Sequence, residues 1–338
     1  MDLKTVISDS SRISKFPTVI TDEVFTVSFY NDAAEKLIPE LTAGKKFDEL
    51  VTIYDKCELK RSKYPSSAMI GCGGKKYFCA FCPVLSGFKK ECVFSFAVPD
   101  GEEYDDCEQY LSMKLAVISK CLCATSENAP AGMERAYGRL YSNYEANMRM
   151  LTAVSGDEYP SAVNIKELLE DIYSYYGELK YGAEQTRRFS VECNDEYIKI
   201  KKSACIILVY AYDLCQALSR NGFCAVSVES SIQDGRISFS FSVRPKHKLS
   251  SLLSRSDGAE DAVYSLLGRG AENILMIKTL ARQISGQADI RYDTEKDELD
   301  FCLTSPYDST GVVKAAGRQF ADIARIAVQT CIISAKKA

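Results

Sequence analysis

The sequence predicts a multidomain α+β protein. Three observations carry that expectation. Residues 24–30 alternate like a strand, and the apolar runs 76–85 and 91–98 read as two more. Two apolar stripes at helical spacing follow one another over 104–153. From residue 164 onward, helical patterns alternate with strand patterns around the hairpin turn Gln233-Asp-Gly-Arg236.

The bulk numbers bound the class. A chain of 338 residues holds about two or three domains. Hydrophobic residues make up 46% and charged residues 26%, as in soluble globular proteins. The net charge of −4 and pI of 5.4 leave no basic footprint for nucleic acid or an anionic membrane. Residues 1–10 lack the apolar core of a signal peptide. The longest apolar run, 204–212, is far short of the ~20 residues a membrane helix needs. A cytoplasmic location is expected.

Fourteen cysteines without a secretion signal are expected to stay reduced. Cys205, Cys215 and Cys302 lie in apolar runs, where a thiol is a small core hydrophobe. Cys79 and Cys82 stand three apart in a strand pattern, so they point to opposite faces and do not converge on one metal. Cys57, Cys72 and Cys92 have no spacing that supplies a matching pair. No metal site is expected.

The elements then read in order. Val24–Tyr30 alternates like a strand, and Asn31 is a good N-cap for a helix starting Asp32-Ala-Ala-Glu-Lys-Leu37. Gly44-Lys-Lys-Phe-Asp-Glu-Leu50 follows, and strands 76–85 and 91–98 close the unit. This run is similar to the entry of a PAS domain, a small sheet that cups a ligand or a partner helix. In the next segment Leu111, Leu115, Ile118 and Leu122 form one stripe. Met133, Tyr137, Leu140, Tyr144, Met148 and Leu151 form a second. Two such helices cannot bury both faces alone, so an antiparallel helical hairpin and a homodimer are expected.

Asn164-Ile-Lys-Glu167 is a capping-box-like helix start, followed by a strand at 187–193 and an apolar helix at 202–219. Strands 223–230 and 236–243 pair, and helix 272–284 leads through Gly286 into strands 287–293 and 298–304. This order resembles the ATP-binding domain of sensor histidine kinases, a histidine-kinase-type ATPase α/β sandwich. The expected domains are PAS-like 1–103, helical hairpin 104–155, ATPase-like 160–306 and a C-terminal helical segment 307–338. Val313, Ala316, Phe320, Ile323, Ala327 and Cys331 place a last helix there, packed on the body.

The resemblance also implies chemistry, and several of its parts are missing. The family's hairpin presents a histidine. Here Lys114–Leu122 contains no His, Asp or Glu, and the lone His247 lies between two lysines in a polar loop. Gln216 stands where the family has the Asn of its central helix, with Asp213 as a substitute polar group. Where the family runs Asp-x-Gly-x-Gly, this chain has Arg244-Pro-Lys-His-Lys-Leu249. The second glycine loop is reduced to Gly268-Arg-Gly270. Gln216, Asp213, Gly268 and Gly270 are therefore the residual nucleotide site, and Lys246, Lys248, Arg255 and Arg269 the cations that would neutralise phosphate. No catalytic residue and no resident cofactor are expected; weak binding of ATP with Mg²⁺ is the exception such a site would allow.

The expected function is a non-catalytic signalling or scaffold protein, acting through dimerisation and a protein partner in a signalling pathway. Three alternatives are an active ATP-binding histidine kinase with divergent motifs, a relative of the sporulation phosphotransferases, and a PAS-type small-molecule sensor. The first two still require a hairpin histidine.

Overall fold

The computed structural model describes residues 16–86, 89–98, 107–127, 134–154, 161–181, 189–192, 197–219, 224–231, 235–246, 249, 253, 258–307 and 317–335. Contacts divide the chain into two units, residues 1–103 with 111–145, and residues 104–110 with 146–337.

The first unit is built on a six-stranded antiparallel sheet in the order β2-β1-β6-β5-β4-β3. The strands are β1 (Thr18–Asp22), β2 (Val27–Tyr30), β3 (Thr52–Ile53), β4 (Ser66–Cys72), β5 (Lys75–Ser86) and β6 (Lys89–Ala97). Between β2 and β4 run the short helices α1 (Asp32–Leu37), α2 (Phe47–Leu50) and α3 (Lys56–Arg61). Asn31 caps α1 by accepting from the Ala34 N–H at 3.0 Å. The same oxygen accepts from the Thr18 N–H, so the cap also ties α1 to β1.

The strand expected from Val24 begins only at Val27. Asp22 accepts from the N–H groups of Val24 and Thr26 and bends the chain into a turn. Phe25 adopts φ 63° in that turn, a costly left-handed conformation for a bulky residue. Its ring is fully buried and meets Phe94 edge-on at 5.7 Å. Phe47, Phe81 and Phe96 complete this aromatic core.

Cys79 lies in that core and Cys82 is partly exposed. Among the described residues, no group of three or more His, Cys, Asp or Glu side chains could hold a metal.

Two long helices follow, α4 (Cys107–Glu127) and α5 (Glu134–Val154). Leu111, Leu115 and Ile118 of the first expected stripe are buried within the protein. The second stripe is not the covered side of α5. Tyr137 and Met148 are exposed, as is Tyr141, and the buried positions are Ala146, Asn147 and Met150. Leu140, Tyr144 and Leu151 of the expected stripe are partly buried, and the covered side is turned towards Ala146, Asn147 and Met150, of which the first two leave little hydrophobic signal. Met133 lies outside the described residues, as does the side chain of Leu122.

The second unit contains the expected α/β sandwich. Its five-stranded sheet has the order β12-β13-β11-β10-β8. The strands are β8 (Phe189–Glu192), β10 (Cys224–Ser231), β11 (Arg236–Val243), β12 (Gln287–Asp293) and β13 (Glu298–Pro306). β8 pairs with β10 in parallel, and the pairings of β10 with β11, β11 with β13 and β12 with β13 are antiparallel. A separate pair joins β7 (Ser161–Asn164) to β9 (Tyr197–Ile200). The helices are α6 (Ile165–Tyr181), α7 (Lys202–Leu218), α8 (Ala259–Leu267), α9 (Glu272–Gln283) and α10 (Gly317–Ala335). Asn164 caps α6 by accepting from the Glu167 N–H at 3.0 Å.

Every residue of α7 from Ser203 to Gln216 is buried. The helix packs against β11 and β10 on one side and against α9 and α10 on the other, which is why it is apolar all round. On β11, Ile237, Phe239, Phe241 and Val243 are buried, while Ser238, Ser240 and Ser242 alternate with them and are partly exposed. The C-terminal helix α10 lies against α6 and α7, burying Phe320, Ala324, Ala327, Val328 and Cys331.

Candidate functional site

Asp213 and Gln216 lie on the last turns of α7, and both are buried. An ionised carboxylate in such a place needs donors. Asp213 has them from two other helices. The Tyr176 hydroxyl on α6 donates to Oδ1 at 2.7 Å. Asn273 Nδ2, at the start of α9, donates to Oδ2 at 3.1 Å. Tyr212 stands edge-on to Tyr176, with centroids 5.3 Å apart, and also to Tyr173. Both Asp213 oxygens thus accept from the protein itself, in a low-dielectric aromatic setting that strengthens hydrogen bonds.

Gly268 and Gly270 lie in the 3₁₀ turn Gly268–Ala271 that joins α8 to α9 and packs against α7. Gly268 has φ 53° and ψ −125°, which only glycine adopts without strain, and it ends α8. Past the turn, Glu272 and Asn273 are buried. The Tyr110 hydroxyl donates to the Glu272 carbonyl at 3.0 Å and fixes the entry to α9. Lys278 of α9 forms an ion pair with Glu260 of α8. The fold therefore brings the glycine turn to the helix that carries Asp213 and Gln216.

The segment after β11 crosses the end of α7. The Lys246 N–H donates to the Leu218 carbonyl at 2.9 Å, and Pro245 bridges Ser219. The side chains of Arg244 and Lys246 are exposed, whereas Leu249 is fully buried, as are Val263 and Tyr264 on α8. His247, Lys248 and Arg255 lie outside the described residues, and so do the surroundings of the Arg269 side chain.

Sequence reasoning missed Tyr176, Asn273 and Tyr110 as partners in this region. A polar residue inside an otherwise buried helix start was the available signal for Asn273. Tyr176 and Tyr110 sit on helices whose periodicity accounts for them as ordinary core aromatics.

The thiols nearby are fully buried. Burial pushes Cys215 well above its ordinary value, with Cys224 adding to the effect. Cys205 is raised in the same way, by burial first and then by Asp171.

No protein-family model matches the sequence, and no curated protein matches it. Solved structures do. The histidine kinase ThkA in complex with the response regulator protein TrrA is 12% identical, covering 88% of this chain and 97% of that one, with a TM-score of 0.33. Full-length ShkA in complex with AMPPNP is 12% identical, covering 62% and 47%, with a TM-score of 0.40. The PAS domain of nitrogen regulation protein NR(II) from Vibrio parahaemolyticus is 13% identical, covering 28% and 97%, with a TM-score of 0.23. All three stand at low sequence identity and low TM-score. The architecture itself stands on the sheet orders and helix placements above.

Among the described residues, no helix is long and apolar enough to cross a membrane.

Proposed function

We propose that this chain is a non-catalytic, histidine-kinase-like signalling module that works through dimerisation and contacts with a protein partner. The observation that carries the reading is the Asp213 carboxylate, held by Tyr176 and Asn273. Each of its oxygens accepts from a neighbouring helix, which supports a structural role in joining α6, α7 and α9.

The rest of the region agrees. The Arg244–Lys246 segment hydrogen-bonds to the end of α7, and Leu249 is buried beyond it. An arginine stands where the resemblance calls for a carboxylate to accept from an adenine amine. These features support weak or absent binding of Mg-ATP. Phosphoryl transfer to histidine also needs an imidazole on the hairpin, and α4 and α5 contain none. The exposed tyrosines of α5 support the dimer, whereas the buried stripe of α4 is already used inside the protein. The aromatic packing of Phe25, Phe47, Phe81, Phe94 and Phe96 speaks against a small-molecule sensor cupped in the first unit.

Calorimetry on the full chain with Mg-ATP and Mg-ADP tests the reading. The expected result is no saturable heat below about a hundred micromolar, where each 1.4 kcal/mol of lost contact is about tenfold in affinity. A tighter constant that disappears on Gln216→Ala would overturn it.

A further inference from the structure

We draw no further inference here: the strongest candidate, the exposed aromatic face of α5 carrying Tyr137, Tyr141 and Met148, belongs to the dimer contact already proposed, and nothing in the structure shows what covers it.

Discussion

Tyr176 and Asp213 stand 37 residues apart in the chain and meet at 2.7 Å, hydroxyl to carboxylate, between α6 and α7. With Asn273 on the other oxygen, the carboxylate links three helices. Tyr176→Phe removes a donor and leaves a buried carboxyl oxygen one bond short, at an expected cost of about 1–3 kcal/mol. Asp213→Ala should cost at least as much, because it strands both donors. Urea unfolding of the two single variants and the double variant should give a coupling above about 0.5 kcal/mol. Additive losses would mean that the bond does not hold the helices together.

The two helices before the sandwich should answer differently to charge. Leu115 is buried within the protein, so Leu115→Glu should destabilise the fold itself, by several kcal/mol or about the cost of an uncompensated buried charge. Tyr137 and Tyr141 are exposed, with their rings stacked at 6.3 Å. Tyr137→Glu with Tyr141→Glu should leave the melting temperature within a few degrees and shift the mass in light scattering from dimer to monomer. A wild type that is monomeric at high micromolar concentration would refute the dimer. A dimer indifferent to both tyrosine changes would move its contact elsewhere.

Much of this fold was legible in the sequence, for reasons that can be named. Asn31 and Asn164 announced helix starts because a short amide can accept from a backbone N–H three residues on. The Gly235 turn announced the β10–β11 hairpin, and its φ of 58° is the conformation that residue type permits. β4 was not legible. Ala68, Met69 and Ile70 are all buried, so the run shows no alternation to read. β1 was missed for the same reason, with Thr18 to Thr21 buried throughout. In the candidate site Asp213 stood out as a carboxylate in an apolar helix. Its partners could not be found by spacing, because Asn273 lies 60 residues away and tertiary packing alone joins them.

Gly286 is a sharper test of packing. A Cβ built there would lie 2.2 Å from the Thr304 carbonyl oxygen, which is backbone and cannot swing aside. Gly286→Ala should therefore cost about 1–3 kcal/mol or more through overpacking, read as a lower urea midpoint with an unchanged m-value. Gly44→Ala is a useful contrast. Its φ of 87° strains any side chain, although nothing lies within 4 Å of the added atom. A neutral Gly286→Ala would show that the β12–β13 hairpin can shift along the sheet.

Stability should also fall in alkali. Burial pushes the Cys92 thiol from 9.0 up to about 11, with Asp22, Glu23 and Glu91 adding to the effect and Lys90 opposing it. The folded state holds this proton more tightly than the unfolded chain. The stabilisation is complete below about pH 9 and is lost as pH rises towards about 11. Urea midpoints taken across that interval should decline, and Cys92→Ala should flatten part of the decline. An identical slope in the variant would assign the loss to other groups.

The sheet order of the second unit has a consequence for synthesis on the ribosome. β13 lies between β11 and β12, and β11 has no other partner on that side. Until residue 306 has emerged, the nascent chain carries an open strand edge along Arg236–Val243. Unpaired edges of that kind recruit neighbouring chains. Yield in cells should therefore depend on translation speed and chaperone supply between β11 and β13, and a stall in that interval should send the product to the insoluble fraction.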